Sequence, residues 1–265
     1  MFRLQDREKC EQLFQKYYAG RRFSRGQYQD LIRQHEFPGA RLLDAGCGRA
    51  LEFSRELPRD SIAVGIDLEE HLETSNEHSP YALRGDLGYL PFPSDSFDLV
   101  ISRSVVEHLN DPRRVFREFH RVLKPGGKVI LATPNKYDYV SLIAMLLPYR
   151  WHRKLVSRVV GVSEDDVFPT LYRANTLSKL NRELQAAGLE RRLLKAINHY
   201  PVYLMFSPVL FRLGILYERL TSLAVLECLR GTLLCVFEKS GPPAAASNKT
   251  AGKYKVKAGA APVGR

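Results

Sequence analysis

The stretch Leu42-Leu43-Asp44-Ala45-Gly46-Cys47-Gly48-Arg49-Ala50 decides how this chain is read. Two leucines lead into an acid, and glycines then stand at alternate positions. A short apolar run ended by glycine reads as a strand that stops in a tight loop. Glycine lets the backbone turn sharply and approach a ligand with no Cβ between them. The acid at the end of a buried strand needs a separate reason, and the rest of the chain supplies it.

Apolar strands and helical stretches alternate outward from this point. "RLLDAG" is followed by the helical "RALEFSREL", "IAVGIDL" by "EEHLETSNEH", and "YALRGD" by a loop. "FDLVISR" precedes a predicted helix over "VVEHLNDPRRVFREFHRVL", a "PGG" turn and the strand "KVILATP". Five strands joined in this way predict crossovers and a parallel sheet, whose doubly buried strands are near-continuous apolar runs. Further on, "NTLSKLNRELQAAGLE" predicts an amphipathic helix capped by Asn175 or Thr176 and stopped by Gly188. "RRLLKAIN" and "GTLLCVFEK" predict a sixth and a seventh strand. Three regions lie outside this pattern: a helical, basic cap over residues 1–39, and apolar helical insertions at 136–175 and 198–230. Residues 241–265 are rich in Ala, Gly, Pro, Ser and Lys, a composition that predicts disorder.

The formal net charge is +11, and five of those charges sit in the last 25 residues, which hold no acid. A basic balance favours acidic partners without naming one. The four cysteines form no Cys-x-x-Cys pair, and no histidine cluster has zinc spacing, so no metal is expected. The first residues are too charged for a signal peptide, and "VYLMFSPVLFRLGILY" is interrupted by Pro208 and Arg212. The expectation is a cytoplasmic protein with reduced thiols.

In open α/β sheets the ligand lies beyond the carboxyl ends of the strands. Gly46, Cys47 and Gly48 follow the first strand. Asp67, twenty-one residues past Gly46, follows the second, where an acid accepts from both ribose hydroxyls. Asp86 follows the third, and "SRSVVEHL" the fourth. The loop lacks the third glycine of a pyrophosphate cradle, which argues against a dinucleotide.

These motifs together resemble the class I S-adenosylmethionine-dependent methyltransferases. The likeness is strongest to the small-molecule branch that includes the ubiquinone-biosynthesis methyltransferases. It runs closely over residues 40–135. The resemblance implies a Rossmann-like, seven-stranded, mostly parallel sheet over residues 40–240 and S-adenosylmethionine as cofactor. It implies that Asp44 accepts from the cofactor's ammonium and that Gly46, Cys47 and Gly48 pass the methionine and ribose. Asp67 would take the ribose hydroxyls, with Leu68 on the adenine. Asp86 would meet the adenine amine, with Leu87 beside it. Ser102 and Arg103 would lie near the methionine arm. The opening acid is then explained: a ligand carrying a sulfonium and an ammonium calls for carboxylates.

His108 and Glu107, after the fourth strand, are the first candidates for a general base, and Tyr172 and His199 lie in the insertions where an acceptor would be held. Tyr200 and Tyr203 read as packing. The insertions predict a small, apolar acceptor methylated on oxygen, nitrogen or carbon. Arg150, His152, Arg153, Lys154 and Arg158 also predict peripheral contact with lipid phosphates. Nucleic acid is not expected, because Thr133-Pro134-Asn135 is not the motif used on base amines and no Pro-Cys nucleophile occurs. The rival readings are an RNA or protein methyltransferase and a non-catalytic cofactor-binding partner. Oligomeric state is left open.

Overall fold

The computed structural model describes residues 4–48, 58, 60–68, 81–160, 163 and 167–241. The two helices predicted at 49–57 and 69–78, and the tail beyond residue 241, lie outside the described residues.

Seven strands form one sheet: β1 (Arg41–Ala45), β2 (Ile62–Asp67), β3 (Tyr81–Arg84), β4 (Phe97–Arg103), β5 (Leu123–Pro134), β6 (Leu189–Ile197) and β7 (Thr232–Lys239). Their order is β3-β2-β1-β4-β5-β7-β6. The first five run parallel, and β7 lies antiparallel between β5 and β6. The chain steps outward in one direction from β1 to β3 and then restarts on the other side of β1 with β4. The crevice opens at that reversal of strand order.

Successive strand residues point to opposite faces, and β1 shows the consequence. Leu43 packs into one core with Val100, Val129 and Leu131. That core is covered by Phe116 and Phe119 of α3 (Pro112–Val122) and by Leu180 and Leu184 of α6 (Leu177–Ala186). Leu42 packs into the opposite core with Leu99, Ile101 and Ile130, under Tyr28 and Ile32 of α2 (Ser24–His35). A third core joins Cys10 and Tyr18 of α1 (Leu4–Tyr18) to Phe211 and Ile215 of α7 (Pro208–Thr221). The first insertion holds α4 (Tyr139–Leu146) and α5 (Tyr149–Val160).

The caps follow the sequence. Thr176 accepts from Lys179 N at the start of α6, and Gly188 follows its end at φ +90°. One expectation is corrected. The helix predicted from Val105 onward does not run through: Val106–His108 is a single 3₁₀ turn, and α3 begins only at Pro112. Asp111 accepts from Arg114 N there, and Pro112 occupies the first turn, where its missing N–H costs nothing. His108 therefore stands on a turn and not at a helix start. β5 also starts before the predicted "PGG" turn, which becomes an irregularity in its pairing with β4 between Phe97 and Leu99.

Asn135 holds the second insertion against the end of β5. Its side-chain amide donates to Cys228 O at 2.6 Å and Arg230 O at 2.8 Å, and its backbone N–H donates to Gly231 O at 2.8 Å. Asn135→Ala would leave two carbonyls without their donor, and the expected loss of stability is about 1–3 kcal/mol by urea unfolding.

Candidate active site

Gly46 leaves β1 at φ +79°, donates to Ile66 O at 2.8 Å and lies on Val105, where an added Cβ would come within 2.2 Å of Cγ2. No other residue fits there. Gly48, at φ +63°, donates its N–H to Asp67 Oδ2 at 2.8 Å, and a Cβ on it would meet nothing within 4 Å. The loop is thus packed beneath Gly46, and among the described residues nothing crowds Gly48. Asp44 is buried at the end of β1. Burial, then the charges of Asp44 and Asp67, push the Cys47 thiol up to about 12. Desolvation is the larger cause, and the shift keeps the thiol protonated.

Asp86 Oδ1 accepts from Gly88 N at 2.8 Å, and Leu87 beside it is buried. Arg114 holds this turn by donating to Gly88 O at 3.0 Å and stacking on the Tyr89 ring. Leu68, past the end of β2, is exposed. Ser102 lies within the sheet, where its hydroxyl donates to Ala45 O at 2.6 Å and ties β4 to β1 under the loop. Arg103, at the end of β4, is half-buried, and its charge acts on Glu107.

Glu107 is 3% exposed, and its backbone carbonyl accepts from Leu171 N at 2.7 Å and Tyr172 N at 3.1 Å. Its Oε2 accepts from Thr133 Oγ1 at 2.9 Å, and Thr133 in turn accepts from the buried Asn175 at 2.6 Å. Burial raises the Glu107 carboxyl above its ordinary range, with His108 the main opposing influence. His108 Nδ1 lies 2.8 Å from Pro169 O, and a carbonyl only accepts, so Nδ1 carries the proton. Nε2 then faces Glu107 Oε1 at 3.9 Å. Glu107 is thus a buried carboxyl set beside the His108 ring. Ser104 and Tyr172 flank it in the left-handed region, at φ +59° and +48°. Such conformations cost a non-glycine residue roughly 1 kcal/mol or more and survive where the surroundings enforce them.

The structure does not bring His199 to this pair. It lies at the end of β6, stacked on Tyr139, with Nε2 buried, unpartnered and 4.0 Å from Asp138 Oδ2. Burial pushes His199 down to about 4 and Asp138 up to about 7. Asp138 also caps α4, accepting from Val140 N at 3.1 Å. Tyr203 senses both Tyr172 and Asp138, so the two insertions share a tyrosine-rich polar cluster. Tyr203 belongs to that cluster, whereas Tyr200 packs against Phe14 and Phe23 as expected. Sequence reasoning passed over Asp138, Thr133 and Asn175. Asp138 had a signal, because it follows the fifth strand as Asp86 follows the third.

Strand order and crevice define a Rossmann-like methyltransferase fold. A family model described as "Methyltransferase domain" matches residues 43–131. The chain is 35% identical over 138 residues to a ubiquinone biosynthesis O-methyltransferase of Caulobacter vibrioides, covering 48% of this chain and 52% of that protein. It is 26% identical over 179 residues to a demethylmenaquinone methyltransferase of Lysinibacillus sphaericus, covering 60% and 74%. The chain spans about half the length of the curated relatives it matches at about one-third identity. An S-adenosylmethionine-dependent methyltransferase structure from Mesorhizobium loti shares the fold, with TM-score 0.51 and 22% identity over 79% of this chain and 96% of that one. Residues 43–131 match a methyltransferase domain, and the fold is shared with an S-adenosylmethionine-dependent methyltransferase. Asp44 buried at the strand end and Asp67 bonded to Gly48 N suit a cofactor that carries positive charge, as S-adenosylmethionine does.

The buried pair in the insertions makes a signed prediction. His199 is depressed from 6.5 to about 4, so its stabilising effect is present above pH 6.5 and lost as pH falls towards 4. Asp138 is raised from 3.8 to about 7, so its contribution is present below pH 3.8 and lost as pH rises towards 7. The two nearly cancel between pH 4 and 6.5. In Asp138→Asn, which keeps the cap, stability should fall on acidification through this window. In His199→Gln it should rise. Thermal melts of both variants against the wild type at stepped pH check this.

Proposed function

We propose that this protein transfers the methyl group of S-adenosylmethionine to a small, apolar acceptor by in-line displacement. The observation that carries the reading is the pair of acids at the loop after β1, Asp44 buried at the strand end and Asp67 accepting from Gly48 N at 2.8 Å. A sulfonium and an ammonium are stabilised in such a field, and a pyrophosphate is repelled.

The cofactor supplies an electrophilic methyl when bound, and the protein supplies alignment and exclusion of water. Asp44 holds the ammonium, while Gly46, Cys47 and Gly48 let the backbone lie against the ligand. Asp67 serves the ribose and anchors Gly48 at the same time. Leu68 would lie on the adenine, and Asp86 would meet its amine with Leu87 beside it. Ser102 acts from below by fixing β4 to β1, and Arg103 sits at the methionine end. Glu107 and His108 take up the acceptor's proton as a pair, with Nε2 as the receiving atom and Glu107 stabilising the imidazolium that forms. Tyr172 and the Asp138–His199 cluster wall the acceptor side. The apolar acceptor is supported by the relatives named for ubiquinone biosynthesis and demethylmenaquinone.

Two measurements test this. Asp67→Ala should weaken S-adenosylmethionine binding by titration calorimetry roughly 10- to 100-fold, the worth of hydrogen bonds to a charged group. Labelled methyl should pass from S-adenosylmethionine into the lipid-soluble fraction of a cell extract, and His108→Ala should slow that transfer at saturating acceptor by about 100-fold. Label confined to RNA or protein would overturn the acceptor class, and tight cofactor binding with no label in any fraction would overturn catalysis.

A further inference from the structure

α4 is built the wrong way round for a helix of a water-soluble domain. Its sequence, YVSLIAML, is apolar on nearly every side, and such a helix normally lies inside a protein. Here its one buried residue is Ser141. Leu142, Ile143, Met145 and Leu146 are exposed, Leu146 by 84%. α5 continues the surface with exposed Tyr149 and with Trp151, which is 69% exposed. A contiguous apolar surface of this kind marks an interaction site.

Its charge indicates the partner. From Tyr139 to Ser163 the chain contains no acid, while Arg150, Arg153, Lys154 and Arg158 are cationic. Arg150 and Lys154 are exposed beside Trp151. Apolar side chains, a tryptophan and cations without acids are the features of a helix that lies in a membrane interface. Among the described residues no helix is long and apolar enough to cross a bilayer, so the contact is peripheral. The neighbouring α7, whose Tyr217 ring meets Tyr139, also exposes Leu213, Leu216 and Leu220 together with Arg212 and Arg219.

We propose that α4 and α5 form a docking surface for an anionic lipid membrane, set beside the acceptor side of the crevice. The location follows from one bond. Tyr149 of α5 donates its hydroxyl to Val167 O at 2.6 Å, and the next residues, Phe168 and Pro169, contact His108. An acceptor dissolved in the bilayer would meet the crevice at this rim. That last step rests on the proposed methyl transfer, whereas the docking does not.

Trp151 is the chain's single tryptophan, so its fluorescence reports this surface alone. The full-length protein is mixed with vesicles of phosphatidylcholine, with or without phosphatidylglycerol. Phosphatidylglycerol vesicles should pellet the protein and shift Trp151 emission to the blue, and added salt should weaken both. Leu146→Glu and the pair Arg150→Glu/Lys154→Glu should each reduce partitioning at least about tenfold. S-adenosylmethionine titration of each variant, expected to match the wild type, separates lost docking from lost folding and from failure of the methyl-transfer reading. Pelleting without a blue shift would assign the binding to the basic residues beyond 241 and overturn the proposal. So would absence of binding. A dimer that Leu146→Glu dissociates, with emission already blue without lipid, would assign the surface to a second copy instead.

Discussion

The structure turns on the contact between Gly46 and Val105. A backbone with no side chain lies against a valine methyl so closely that a single added carbon would collide. This contact joins the loop after β1 to the turn after β4 across the line where strand order reverses. The bond from Gly46 N to Ile66 O adds β2 to the same unit. The floor of the crevice is therefore one rigid piece contributed by three strands. The acids carried on it, Asp44 and Asp67, have fixed positions and a fixed mutual field. A site that must favour positive charge gains from such rigidity, because oriented charges need not reorganise when the ligand arrives.

Much of this was legible from sequence, for physical reasons. Parallel strands buried on both faces are written as apolar runs, and Leu42 and Leu43 separate into two cores as a period of two requires. Glycines at positive φ and acids at strand ends mark the crevice directly. The error at Val105–Val122 arose because helical periodicity runs through both the 3₁₀ turn and α3. The decisive signal was Asp111-Pro112, a cap and a helix-starting proline in the middle of that pattern. What could not be read was pairing across long sequence distances. Nothing near Glu107 announces that Thr133 will hydrogen-bond to it or that residues 171 and 172 will donate to its carbonyl. Ser102 illustrates the same limit, since its hydroxyl serves the Ala45 carbonyl beneath the loop.

Two acid–histidine pairs lie along the insertions. Glu107 and His108 sit on a strained turn at the end of β4, and the His108 tautomer is set by the Pro169 carbonyl. Asp138 and His199 lie deeper, between the insertions, with the acid raised and the imidazole depressed. Burial disfavours the charged forms of Glu107, Asp138 and His199. A hydrophobic acceptor would pass such walls without meeting a full charge, and the carboxylates remain on the cofactor side. The crevice is thus polarised from one wall to the other.

The position of β7 has a consequence for how the protein is made. This strand lies between β5 and β6, pairing with both over most of their length, yet it follows both in the chain. Until it emerges, β5 and β6 each present an open edge, and the amide of Asn135 lacks the carbonyls of residues 228 and 230. Open edges pair readily with other chains. The nascent protein therefore cannot close its sheet domain by domain during synthesis. The edges of β5 and β6 stay open until β7 has been made, and that interval is when a chaperone would have most to protect.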